Sequence, residues 1–243
     1  MTDAPRPWRS RFAWLHPKAY LGLHSALGVL ACIIMMWAFA FIADEIPEQS
    51  VLVRVDDSVI AWLQRHGTET GEAIFHAVSW LGAPVIAACV TIAVLTFIFR
   101  RDRLRAIALA LAALGGSALN NLLKAIFHRG RPEFANEFIV HQSWSFPSGH
   151  AMSAMVCYGF LAYLLLERVH RCGARVAIRA AATILIVAIG YSRVYLGVHY
   201  PSDVLGGYLA GATWLIVCIT GYRFAAGHLV PSRDRATAQT TLG

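Results

Sequence analysis

The stretch Ser192-Arg193-Val194-Tyr195-Leu196-Gly197-Val198-His199-Tyr200-Pro201-Ser202-Asp203 sits where one apolar run, residues 180–195, gives way to the next, residues 204–222. It gathers an arginine, a histidine and a carboxylate at the junction of two segments that read as membrane crossings. Ionisable groups at the edge of hydrocarbon are costly, so each requires a partner or a ligand, and together they mark a functional site.

Working outward, the whole chain repeats this alternation. Hydrophobic residues make up 57% of the 243 and charged residues only 14%, with a mean hydropathy of +0.54; this excludes an ordinary soluble domain. Six apolar runs, residues 26–43, 80–99, 106–123, 151–166, 180–195 and 204–222, are long enough or nearly so for a bilayer core that takes about 20 helical residues. The runs at 151–166 and 180–195 are short and abut polar stretches, so their helices are expected to continue through those stretches. The fold class is therefore all-α: a polytopic six-transmembrane-helix bundle, with a tail at 1–25, a membrane domain at 26–222 and a second tail at 223–243.

The net charge of +7 is distributed for a membrane, not for nucleic acid. Arg6, Arg9, Arg11 and Lys18 precede the first run, Arg100, Arg101, Arg103 and Arg105 follow the second, Arg168, Arg171, Arg175 and Arg179 form a loop between the fourth and fifth, and Arg223, Arg233 and Arg235 follow the sixth. These are 15 of the 21 basic residues, all on one side if the runs alternate. The positive-inside rule then places both termini in the cytoplasm. The remaining six, Arg54, Arg65, Lys124, Arg129, Arg131 and Arg193, face outward, four of them in two short stretches as an anion site requires. A competing secretory-signal reading, with Ala38-Phe39-Ala40 as the cleavage site, would remove the first span. Five cysteines, four inside apolar runs, make no disulfide framework or zinc motif.

Between the first two runs, Val55, Val59, Ile60 and Leu63 recur at helical spacing opposite Asp56, Asp57 and Gln64, which predicts an amphipathic helix on the outer surface, ended by Gly67. Thr70 is positioned to cap a second short helix leading into the membrane. Its scaffold role is favoured over that of a lid for lipid entry. Asn120 and Asn121, one turn inside the membrane edge, read as helix-to-helix glue. Lys124 and Arg131, separated by a turn at Gly130 and followed by Pro132, can converge on one polyanion. A loop at 133–146 leads to Pro147-Ser148-Gly149-His150, where the fourth helix begins, and its unpaired amides form a ready anion site. In the last run, Gly207 and Gly211 form a small face for close helix packing.

Taken in order, Lys124 to Arg131-Pro132, Pro147-Ser148-Gly149-His150, and Ser192-Arg193 with His199 and Asp203 resemble the three-part signature of the type 2 phosphatidic acid phosphatase (PAP2) superfamily of integral-membrane lipid phosphatases. The resemblance implies a lipid phosphate or diphosphate substrate, such as undecaprenyl diphosphate, phosphatidylglycerophosphate or phosphatidate, and a site facing the periplasm of a bacterial inner membrane. It implies phosphate binding by Lys124, Arg131, Ser148, Gly149 and Arg193. His199 would be the nucleophile that becomes phosphohistidine, Asp203 its orienting carboxylate, and His150 the general acid and later the base. Three cations and neutral donors match the equatorial oxygens of a transferring phosphoryl group, so neither metal nor cofactor is expected. The family pattern leaves His76, His128 and His141 without a role. The partners expected are the lipid substrate and the bilayer, with no nucleic acid; the oligomeric state is not legible. Two rivals are a non-enzymatic lipid-phosphate scaffold or transporter, against which the intact His150, His199 and Asp203 argue, and vanadate-dependent haloperoxidase chemistry, against which six spans argue.

Overall fold

A computed structural model describes residues 17–46, 50–132 and 143–229; the 1–16 part of the predicted first tail, the 230–243 part of the second, His141 and the 133–142 part of the predicted loop lie outside the described residues. Among the described residues eight helices follow in order: α1 (Pro17–Glu45), α2 (Val51–His66), α3 (Glu69–Trp80), α4 (Pro84–Phe99), α5 (Arg103–Phe127), α6 (Gly149–Leu166), α7 (Cys172–Tyr195) and α8 (Pro201–Leu229). Within the described residues six segments are long and apolar enough to cross a membrane: Ala26–Glu45, Glu69–Phe99, Arg103–Phe127, Gly149–Leu166, Cys172–Tyr195 and Pro201–Gly227. Trp37, Phe99 and Leu114 are among many large apolar side chains left exposed. Around a soluble protein this belt would aggregate; facing lipid it is matched to its solvent. The protein is an integral membrane protein.

The local signals explain most boundaries. Ser50 caps α2 by accepting from the Val53 amide at 3.3 Å, and Gly67 closes it with its N–H on the Leu63 carbonyl at 2.7 Å. Thr68, not Thr70, caps α3, accepting from the Gly71 amide at 3.1 Å. An N-cap hydroxyl serves the amide two or three residues on, and Thr70 is already inside the first turn. Pro84 opens α4, where its missing N–H costs nothing. Asp102 caps α5 by accepting from the Arg105 amide.

Two helices begin earlier than expected. α1 starts at Pro17, and α7 at Cys172, so the basic residues Arg175 and Arg179 lie on the first turns of a helix and not in a loop. Arg175 ties that start down, donating to the carbonyls of Leu166 at 2.6 Å and Val169 at 2.8 Å, which are the free acceptors at the end of α6. α8 likewise runs beyond residue 222 to Leu229.

The core lies where α6 packs between α5, α7 and α8. Two glycines of α8 meet the α6 backbone: a Cβ on Gly207 would sit 2.7 Å from the Ser148 carbonyl oxygen, and one on Gly211 would sit 3.0 Å from that of Met152. Neither position admits a side chain without moving backbone, so the small-residue face is a contact surface. Toward one end of the bundle, Leu109, Ala112, Val156 and Phe160 form a buried cluster with Trp214 packed against it. At that end Glu167 accepts from Tyr163, Tyr222 and Arg105, each at 3.1 Å, tying α5, α6 and α8. The opposite end is covered by α2, whose Ile60 and Leu63 pack with Ala151, Val194 and Val204. α1 lies against α8 and closes the side, Phe39 meeting Phe146 and Phe127 at ring separations of 5.3 and 5.8 Å.

The amphipathic reading of α2 holds for Ile60, Leu63 and the partly buried Val59, and fails at Val55 and Asp56. Val55 is 51% exposed while Asp56 is 1% exposed. Asp56 shares the i, i+4, i+7 stripe with Ile60 and Leu63, and it can be buried because a cation and a helix start meet it there.

Candidate active site

Four helix ends converge under α2. Lys124 lies in the last turn of α5, Ser148, Gly149 and His150 at the start of α6, Arg193 in the last turn of α7, and Asp203 in the first turn of α8. Two turns of backbone bring in the rest. α5 ends at His128, held left-handed at φ 48°, so the reversal expected at Gly130 occurs two residues earlier. Its ring packs edge-on against Trp144 at 4.8 Å, and a histidine tolerates this conformation better than a β-branched residue does. Gly197, at φ 65°, turns the chain after α7 so that the amides of Val198 and His199 both donate to the Arg193 carbonyl, at 3.1 and 3.2 Å.

His199 is 2% exposed and its two ring nitrogens have different neighbours. Nδ1 lies 3.2 Å from Ser145 Oγ and 3.4 Å from Asp203 Oδ2. Ser145 itself donates to Asp203 Oδ2, so the Nδ1 side is an acceptor environment that holds Nδ1 protonated. Nε2 lies 3.4 Å from Arg131 Nη1, which can only donate. The tautomer that satisfies both sides carries its proton on Nδ1 and its lone pair on Nε2. Burial pushes the imidazole down to about 4, the Arg131 and Arg193 charges acting in the same direction and the Asp203 hydrogen bond and charge opposing them. The ring is neutral at pH 7, with a free electron pair.

The cations surround this nitrogen. Arg131 is fixed by its own bonds, donating to the Val198 carbonyl at 2.7 Å, the Ser143 carbonyl at 3.0 Å and Ser143 Oγ at 2.9 Å. Lys124 donates to the Trp144 carbonyl and Arg193 to Ser79 Oγ. His150 lies within reach of the charges of Arg193, His199, Arg131 and Lys124, so the residues of all three sequence motifs form one cluster. Its ring packs on the backbone at Gly82, where a Cβ would come within 3.0 Å of Cδ2. Ser148 Oγ and Arg193 Nε are buried without a hydrogen-bond partner among the described residues. Donors left over beside a helix N-terminus, ringed by three cations, are suited to an anion with several oxygens. Asn120, by contrast, has the bracing role expected of it, donating to the Pro147 carbonyl at 3.4 Å. Asn121 and His76 are exposed.

Four residues of this cluster were not singled out by sequence: Arg129, Asp56, Ser145 and Ser202. Arg129 is 8% exposed and donates to Asp203 Oδ1 at 2.7 Å, Ser202 Oγ at 2.7 Å and Asp56 Oδ2 at 2.8 Å. Asp56 also accepts from the Ser202 amide at 3.0 Å and from its hydroxyl. The Asp56 stripe position was the available signal. For Arg129 the only hint was its place among the outward cations.

The profile of the PAP2 superfamily matches residues 105–225, a span that contains all three motifs. The chain belongs to the PAP2 superfamily. It is 43% identical over 95 residues to phosphatidylglycerophosphatase B of Bacillus subtilis, covering 38% of this chain and 46% of that protein. It is 30% identical over 171 residues to the decaprenylphosphoryl-5-phosphoribose phosphatase of Mycobacterium tuberculosis, covering 68% of this chain and 85% of that one. In fold it resembles the crystal structure of a transmembrane PAP2 type phosphatidylglycerolphosphate phosphatase from Bacillus subtilis, with a TM-score of 0.71 and 26% identity over 79% of this chain and 96% of that one. The match thus spans about half the length of the first of these relatives and most of the other two.

Proposed function

We propose that this PAP2 protein is a lipid phosphatase that removes phosphate from a lipid-linked phosphate monoester or diphosphate by way of a phosphohistidine. The observation that carries the reading is the division of labour at His199: Nδ1 held by Asp203 and Ser145, Nε2 bare beside Arg131. In the first step the Nε2 lone pair forms the N–P bond as the bond from phosphorus to the lipid oxygen breaks, and His150 gives its proton to that oxygen. In the second step His150 takes a proton from water, whose oxygen bonds phosphorus as the N–P bond breaks. Inorganic phosphate leaves and His199 returns to its neutral form. Lys124, Arg131, Arg193 and the donors at Ser148 and Gly149 hold the equatorial oxygens through both steps, so positioning and charge supply the catalysis.

A groove of about 410 Å³ supports a lipid substrate. It runs between α4, α5 and α6, with His150, Gly149 and Asn120 at one end and Val90, Leu114 and Cys157 among its apolar walls. In this reading a hydrocarbon chain lies in the groove along the bundle, with the phosphate at His150. The names of the relatives supply candidate headgroups. The test is phosphate release by purified protein in detergent from phosphatidylglycerophosphate, undecaprenyl diphosphate and phosphatidate. We expect turnover of at least one of these in EDTA, inhibited by vanadate; activity abolished by EDTA and restored by magnesium would overturn the reading.

The site end faces the periplasm in this proposal, and the termini the cytoplasm. Support comes from the basic residues at 100–105, 168–179 and 223, which the helix order gathers at the end away from the site. In intact cells a membrane-impermeant maleimide is expected to label Val140→Cys in a cysteine-free background and to miss a cysteine at position 172. The reverse pattern inverts the orientation.

A further inference from the structure

Asp56, Arg129 and Asp203 form a buried chain of alternating charge that begins on the surface helix and ends on the carboxylate that orients His199. The chain is closed on every side. Asp203 Oδ1 takes Arg129, while Oδ2 takes the Tyr200 amide at 2.9 Å, the Ser145 hydroxyl and the His199 Nδ1–H. Arg129 lies over the Tyr200 ring at 4.2 Å, and its other terminal nitrogen is taken by Asp56. Asp56 in turn accepts from the amide and hydroxyl of Ser202, in the first turn of the helix that carries Asp203.

Such a chain has a chemical consequence. Alone beside Asp203, Arg129 would neutralise the carboxylate and leave it a weak partner for an imidazole that must become positive as Nε2 attacks. With Asp56 present the three groups carry a net charge of −1. Burial disfavours the charge on Arg129, but Asp203 and Asp56 outweigh it and hold the guanidinium above its ordinary value, so the alternation is stable. We propose that Asp56 is a positioning residue for the reaction: through Arg129 it sets how much negative charge Asp203 offers to His199, and through Ser202 it fixes the helix start from which Asp203 projects. α2 is then part of the catalytic apparatus, reaching it without touching substrate.

The inference rests on the reading of His199 as the nucleophile. Among the described residues, the other charged or titratable groups around this ring are Arg131 on the segment after α5, Arg193 on α7 and His150 on α6, with Lys124 on α5 beside Arg131, all cationic or neutral; Asp203 is the carboxylate that counters them, with Asp56 behind Arg129. The experiment compares Asp56→Asn, Arg129→Gln and the double variant by the pH dependence of kcat/KM, corrected for the ionisation of the substrate. Asp56→Asn takes the cluster to neutral and should move the acidic limb to lower pH. Arg129→Gln leaves two carboxylates and should move it to higher pH. The double variant restores −1 and should bring the limb back to that of the parent, each displacement being about one unit or less for a charge acting through a neighbour. In Asp56→Asn kcat should fall about 10- to 100-fold with KM little changed, and the double variant should recover part of that loss. Loss of packing alone cannot move a limb in opposite directions, and it makes the double variant no better than the worse single one. Each variant has its own signed expectation, so one that folds is enough. Limbs that stay in place, shift alike, or fail to return in the double variant overturn the proposal, as does failure of all three to fold, which would make the chain structural. Activity retained by His199→Ala would instead remove the nucleophile reading itself.

Discussion

His199→Ala is expected to lose on the order of 10⁴–10⁶ in turnover on any lipid phosphate, because the variant has no atom to form the N–P bond and keeps only binding and charge stabilisation. His150→Ala is expected to fail differently. With an activated substrate whose leaving group needs no proton, such as p-nitrophenyl phosphate, its first step should remain measurable, since a stable leaving anion makes the general acid dispensable. Its second step should be slow, because the same imidazole is the proposed base that activates water, and the phosphorylated enzyme should accumulate. Quenching in alkaline detergent, which preserves the acid-labile N–P bond, after a phosphorus-32 substrate reads both outcomes: label on His150→Ala and none on His199→Ala. The geometry gives the asymmetry its reason. His199 has an acceptor wall at Nδ1 and a cation at Nε2, whereas His150 lies beside Gly82 and Gly149 at the end of the apolar groove, where the lipid oxygen would leave. Label on His199→Ala, or equal loss in the two variants with the activated substrate, would exchange or merge these roles.

How much of this was legible in the sequence depended on whether the signal was local. The spans, the helix start at Gly149 and the Pro201 start of α8 follow from apolar length and capping chemistry, which act within one or two turns. The motif residues were legible because their spacing brings cations and histidines to successive helix ends on one face. Asp56 was not. Adjacent positions on a helix differ by about 100°, and the pattern Val55, Val59, Leu63 scores as well as Asp56, Ile60, Leu63 when a carboxylate is counted as polar. What turned α2 to the second face is Arg129, 73 residues away in sequence. A buried charge is decided by its partner, and a partner so distant leaves no local trace. His128 is a smaller instance: glycine two residues on was the expected turn, but the left-handed residue is the one whose ring finds Trp144.

Arg193→Ala should lower kcat on the order of 10³-fold while leaving the protein as stable as the parent or more so. The expectation comes from the cost of the residue at rest. Its side chain is half-buried, with Nη1 on Ser79 Oγ, a buried Nε that has no partner among the described residues, and two other cations, Arg131 and Lys124, in electrostatic range. No acidic side chain pairs with it among the described residues. Like charges held together with an unsatisfied donor store destabilisation that an anion relieves, which is how a site can be built for its ligand at the expense of the resting fold. Phosphate or vanadate should therefore raise the thermal midpoint of the parent in detergent, since a ligand that binds only the folded state stabilises it by mass action. The alanine variant should start at or above the parent midpoint and gain little from either anion. Arg193→Lys keeps the charge but not the planar fork, and should fall between the two in rate and in anion response. A variant that loses stability yet keeps the full vanadate shift would reassign Arg193 to bracing α7 against Ser79, and leave Arg131 and Lys124 as the cations that hold the phosphoryl group.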